Sequence, residues 1–151
     1  EGSVYLAEEE VSLAIRTDEA SAMASRVAAL PSVRAALLER QRSFQSESGL
    51  VADGRDMGTV VFPGAQLKVF LTASVTARAE RRYKQLIAKG ISATLPDLRL
   101  ELEERDARDT ERSVSPLLPA EGSFVIDSTE LSIQETEAQL ETLVRSAGLM
   151  P

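Results

Sequence analysis

The chain has 151 residues, 43% of them apolar and 27% charged, the size of one ordinary domain able to bury roughly two-thirds of its unfolded surface. It contains neither Cys nor His, which excludes disulfides, thiolate nucleophiles, Cys-built metal centres and every Ser-His or Cys-His arrangement, and leaves carboxylate, guanidinium, hydroxyl and backbone for chemistry. A net charge of −7 disfavours general affinity for nucleic acid polymers or an anionic membrane; with no apolar run near the roughly 18 residues of a span and no signal-peptide pattern, a cytoplasmic location is expected.

In chain order, Ser3 to Leu6 and Val11 to Ile15 alternate as two short strands, joined by the acidic turn of Glu8, Glu9 and Glu10. Thr17 is placed to cap a helix from Asp18 to about Ala29. Pro31 then restarts a second helix reaching about Phe44. After the polar break from Ser46 to Gly49, the apolar run Leu50-Val51-Ala52 ends at Asp53 as a buried parallel strand would. Leu67 to Leu71 is a second such strand, followed by Ser74 as cap and a helix from about Val75 to Lys89 that stops at Gly90. A further helix follows Pro96 and runs to about Arg112. Phe124-Val125-Ile126 is a third strand, again ending in an acid, Asp127. Ser132 and Glu135 then form a capping box for a last helix that ends before Gly148. Apolar strands alternating with helices indicate an α/β fold with a parallel sheet, whose ligands gather at the carboxyl ends of the strands. Three strands make a thin sheet and the chain opens on Glu1, so an upstream segment is expected.

Chemistry-bearing residues concentrate in two places. Asp53-Gly54-Arg55-Asp56-Met57-Gly58-Thr59 sets two carboxylates and a guanidinium between glycines directly after the first apolar run, where a polar turn alone would need less. Glu103 to Arg112 places Arg105, Arg108 and Arg112 on one helix face, with Asp109 four residues after Arg105; Arg78, Arg81 and Arg82 cluster on the preceding helix. Such a pattern describes either a solvated ion-pair face or a basic pocket suited to phosphate. Fourteen Arg against three Lys fits the pocket, although a GC-rich coding bias produces the same excess.

Asp53 to Thr59 continuing into Val60-Val61-Phe62-Pro63, together with Glu104-Arg105-Asp106-Ala107-Arg108-Asp109 and Asp127-Ser128-Thr129, resembles the bacterial cytidylate kinases, nucleoside monophosphate kinases of the P-loop class. The first of these motifs is the specific one. The resemblance runs from Ile15 to about Leu140 and departs at one place: no Gly-x-x-x-x-Gly-Lys-Ser/Thr loop occurs in the sequence. It therefore implies the C-terminal portion of such an enzyme, a P-loop-NTPase-like parallel sheet flanked by helices and incomplete at the N-terminus. Residues 1–48 would be part of the monophosphate-binding insert, 49–77 core, 78–116 lid helices, and 117–151 the last core strand and C-terminal helix.

By the same resemblance the intact protein would transfer the γ-phosphoryl group of ATP to CMP or dCMP as a monomer, with Mg2+ accompanying ATP, and this chain alone would be inactive. Ser25, Arg34 and Asp56 would hold the base, Arg55 and Arg105 the acceptor phosphate, and Asp109 the ribose hydroxyls. Arg112, Arg108, Arg78 and Arg82 would serve the travelling phosphoryl group, and Asp53 the magnesium shell through water. Without the resemblance, Ser25 and Arg34 read as solvent-facing helix residues. The competing classes are a non-catalytic nucleotide- or phosphate-binding module and a structural interaction domain.

Overall fold

The computed structural model describes residues 3–111 and 116–150, apart from the Asp18 side chain. The chain divides into two compact units, 1–44 and 45–151. Among the described residues no helix is long and apolar enough to cross a membrane.

In the first unit β1 (Tyr5–Leu6) pairs antiparallel with β2 (Glu9–Glu10), and the two-residue turn between them is Ala7-Glu8, both at positive φ (49° and 73°). The alternation expected over Val11 to Ile15 does not become a strand. Val11 closes the hairpin instead, its N–H donating to the Val4 carbonyl at 2.9 Å, and the chain winds into a 3-10 turn at Ala14–Arg16. A two-residue turn fixes the register so early that the strand partners are used up by Glu10. Helix α1 (Asp18–Val27) begins as expected, the Thr17 hydroxyl accepting from the Ala20 N–H at 3.1 Å. Helix α2 (Pro31–Arg42) carries its proline in the first turn, where the missing N–H costs nothing. None of this unit's residues whose side chains are described is fully buried.

The second unit is built on one parallel pairing. Strand β3 (Val69–Thr72) lies beside β4 (Phe124–Asp127), with Val69 opposite Phe124 and Thr72 opposite Asp127. Parallel strands need a crossover, and here it is made by α3 (Val75–Ala88) and α4 (Leu95–Glu111). These helices pack on each other through buried Ala79, Leu86 and Leu98, with Tyr83, Ala93 and Leu102 around them. The corner between them is a glycine cap: Gly90 sits at φ 72°, its N–H donates to the Ile87 carbonyl, and the Ile91 N–H donates to that of Leu86, both at 3.0 Å. Thr94 caps α4, accepting from the Asp97 N–H, so the helix starts at Leu95 rather than after Pro96.

The expected strand at Leu50-Ala52 is absent. Residues 50–53 have no regular structure, Leu50 is exposed, and Val51 is fully so. An apolar run becomes a strand only when a neighbouring strand takes its N–H and C=O groups, and among the described residues the only sheet in this unit is the β3–β4 pair.

Helix α5 (Ile133–Ser146) has the full capping box. The Ser132 hydroxyl accepts from the Glu135 N–H at 3.2 Å, and the Glu135 carboxylate accepts from the Ser132 N–H at 2.8 Å and its hydroxyl at 2.7 Å. The backbone bond first, then the hydroxyl, holds the Glu135 carboxyl below its ordinary value. Its stabilising effect is therefore present above the ordinary carboxylate range and is lost as pH falls through the lowered value. Ser132→Ala should cost about 0.5–2 kcal/mol in urea denaturation at pH 7. The deficit should shrink only slightly on acidification, because the variant keeps the backbone N–H bond to Glu135 and lacks only the hydroxyl's bond to it, the smaller of the two causes of the lowered Glu135 value.

Candidate functional site

The Asp53 to Thr59 segment runs into a π-helical turn, Met57–Val61, in which the Asp56 carbonyl accepts from the N–H groups of both Val60 (2.9 Å) and Val61 (3.2 Å) and the Met57 carbonyl from that of Phe62 (2.7 Å). Such turns are uncommon and frequently mark functional sites. Val61, buried at its end, anchors it, while Gly58 lies so close to Ala120 and Lys68 that a β-carbon would stand 3.2 Å from the Ala120 side chain. The turn leaves Asp56 buried, while Asp53 and Arg55 stay exposed.

Arg55 reaches from this segment to α4. Its Nε lies 3.2 Å from Oδ2 of Asp109, and the Nε of Arg105 lies 4.0 Å from the same oxygen. Asp109 is 4% exposed, whereas the side chains of Arg55 and Arg105 are each 39% exposed. Burial, then the neighbouring Arg55 charge, lowers the Arg105 pKa, while Asp109 and Asp106 act against that shift.

The charged helix α4 therefore separates into two kinds of arginine. Arg99 and Arg108 make exposed pairs one turn away, with Glu103 at 2.8 Å and Glu104 at 3.7 Å, which is the solvated-face pattern. Arg105 instead joins Arg55 on a buried carboxylate. Arg112 lies outside the described residues.

On α3, Arg78 forms a two-point pair with Asp106 of α4 (Nη1 to Oδ1 3.0 Å, Nη2 to Oδ2 2.5 Å), and its Nε donates to the Ala73 carbonyl just past β3 at 3.1 Å. Arg81 donates to the carbonyls of Ser128 and Leu131 and to the Ser128 hydroxyl. Arg82 is half-buried. Ser25 and Arg34 belong to the first unit, both half-buried, with Arg34 donating from Nη1 to the Ala28 carbonyl at 3.2 Å.

Two residues hold places that their local sequence does not signal. Asp106 stood in the quoted motif without a role, and the two-point pair supplies one; its only signal was the excess of acids facing the Arg cluster. Arg81 belongs to the Arg cluster of α3, but its partners are mostly main-chain carbonyls, which no sequence pattern marks. Asp127-Ser128-Thr129 closes the strand ends: the Ser128 N–H and hydroxyl both donate to the Thr72 carbonyl, and the Thr129 hydroxyl accepts from the Ser74 N–H while donating to Asp127. The Thr129 hydroxyl, then its N–H at 2.9 Å, both donating to Asp127, hold that carboxyl below its ordinary value.

Among the described residues no three metal-ligating side chains gather. That donor set offers no cage for a bare cation.

A family model described as cytidylate kinase matches residues 1–146. The chain belongs to the cytidylate kinase family. It is 60% identical over 133 residues to the cytidylate kinase of Bordetella bronchiseptica, covering 88% of this chain and 60% of that protein. It is 58% identical over 137 residues to that of Ralstonia nicotianae, covering 91% of this chain and 60% of the relative. It is 57% identical over 142 residues to that of Pseudomonas aeruginosa, covering 94% and 61%. The chain thus spans about 60% of the length of these curated relatives.

The Arg78–Asp106 pair should be energetically real where the exposed pairs are not. In urea denaturation Arg78→Lys and Asp106→Asn should each cost about 1–3 kcal/mol, and the double variant less than their sum. Arg99→Gln, which breaks a solvated pair, should cost under about 0.5 kcal/mol.

Proposed function

We propose that these 151 residues form the acceptor side and lid of a kinase that moves the γ-phosphoryl group of ATP to CMP or dCMP. The observation that carries this reading is the convergence of Arg55 and Arg105 on the buried Asp109, with buried Asp56 next in sequence to Arg55. Phosphoryl transfer asks little covalent chemistry of a protein, since it works by holding donor and acceptor in line and neutralising charge, so a chain without Cys or His is not handicapped.

In this reading Asp56 accepts from the cytosine amino group, and Ser25 and Arg34 donate to its ring nitrogen and carbonyl. Uracil would turn a carbonyl toward Asp56. Arg55 and Arg105 hold the acceptor phosphate and Asp109 the ribose hydroxyls. Arg78, Arg82, Arg108 and Arg112 neutralise the group in flight. Asp53 is the carboxylate for a hydrated Mg2+, which when bound would neutralise donor phosphate oxygens. Residues 1–48 are assigned to the monophosphate-binding insert, 49–77 and 117–151 to the core, and 78–116 to the lid. The protein would act as a cytoplasmic monomer in pyrimidine nucleotide metabolism.

The second reading, a nucleotide-binding module without turnover, is favoured by one observation: the 151 residues hold no Gly-x-x-x-x-Gly-Lys-Ser/Thr loop to cradle donor phosphates. On either reading the chain by itself should not convert ATP and CMP. Joined to the remaining length of a curated relative it should do so on the first reading only.

Calorimetric titration tests the acceptor site directly. CMP should bind more tightly than UMP, and Asp56→Asn should weaken CMP by about 1–3 kcal/mol because the amide's donor end opposes the cytosine amino group. Equal affinity for CMP and UMP, unchanged by the substitution, would remove Asp56 from the base site. Arg105→Lys keeps the charge but loses the planar fork. It should therefore weaken CMP at least tenfold while leaving the phosphate-free nucleoside cytidine unaffected.

A further inference from the structure

We infer that Asp109 is a positioning residue: it holds the guanidiniums of Arg55 and Arg105 side by side as a preformed fork for the monophosphate group of the acceptor. The identity of that acceptor rests on the function proposed above; the positioning rests on the geometry.

Arg55 and Arg105 stand fifty residues apart in sequence, one on an irregular segment and the other in α4. Two cations brought from separate elements repel each other, and the Arg55 charge is the second cause, after burial, of the lowered Arg105 pKa. One oxygen of Asp109 faces both of them, and the closest approach of each runs through Nε, the inner nitrogen of the guanidinium.

The burial is arranged in layers. The carboxylate is almost fully enclosed, while both cations are more than a third exposed, so an external anion can reach the guanidiniums without meeting Asp109 first. The Asp109 backbone is also tied, its carbonyl accepting from the Leu117 N–H at 2.8 Å, which fixes the last turns of α4 against the chain that follows.

A negative charge under a phosphate site is electrostatically counterproductive, because it repels the ligand that the arginines attract. That conflict separates two roles. If Asp109 contributed only charge, removing it should tighten phosphate binding. If it contributes placement, removal should let the two guanidiniums part, and binding should weaken even though the site becomes more positive.

The experiment titrates the 151-residue chain and its Asp109→Asn variant with inorganic phosphate and, separately, with CMP by calorimetry at one ionic strength. The expected result is at least a tenfold loss for both ligands in the variant. Phosphate affinity unchanged or increased in the variant would overturn the inference. So would a loss confined to CMP, which would place Asp109 at the nucleoside alone. Should circular dichroism show the variant unfolded, the unsubstituted chain still decides: the Nε–H resonances of Arg55 and Arg105 should both appear slowly exchanging in NMR spectra and both shift with phosphate. Movement of neither would overturn the inference. Phosphate binding at both arginines without any affinity for CMP would leave the positioning intact and sink the proposed function instead.

Discussion

The parallel pairing of β3 with β4 is the constraint on which the second unit depends. Two parallel strands cannot be joined by a tight turn, so the chain between Thr72 and Phe124 must travel back along the sheet, and α3 and α4 are that return path. The pairing also sets both carboxyl ends at one edge, where the Thr72 carbonyl, Ser74, Asp127, Ser128 and Thr129 exchange hydrogen bonds. Arg78 and Arg81 then lock α3 to that edge, and Arg78 reaches on to α4. The helix that bears Arg105 and Asp109 is held by these contacts rather than by sheet alone.

Charge is distributed against the grain of the whole molecule. A chain of net charge −7 keeps its basic groups together by interleaving them with buried or half-buried acids, Asp109 between two arginines and Asp106 against a third. The exposed pairs on the outer side of α4 do little for stability, whereas the enclosed ones determine where guanidiniums stand. A single helix thus presents ordinary solvated surface on one side and an ordered cationic edge on the other.

Features governed by neighbours in sequence were legible. Thr17, Ser74 and Ser132 cap their helices as their positions indicate, and Gly90 stops α3, because each signal acts within one turn of chain. The i,i+4 relation of Arg105 to Asp109 was visible for the same reason. What failed depended on distant partners. Leu50 to Ala52 has the composition of a buried strand, yet composition does not provide a strand to pair with. Val11 to Ile15 alternates correctly, but a turn two residues long had already ended the hairpin. The reach of Arg55 to Asp109 spans more than fifty residues and left no local trace, although both residues had been singled out separately.

The π-helical turn at Met57–Val61 holds one residue more than an α-helical turn closing the same gap, which is equivalent to an insertion accommodated without a loop. Each residue of a helix advances the side-chain direction by about 100°. Removing any one residue from this turn would relax the backbone into ordinary helical hydrogen bonding, but it would also swing Val61 out of its buried seat and turn Asp56 relative to it. The spacing between an enclosed acid and an enclosed valine is therefore a length constraint on the chain. A side chain at Gly58 would press on Ala120, but a change in the residue count of the turn would shift every residue after it.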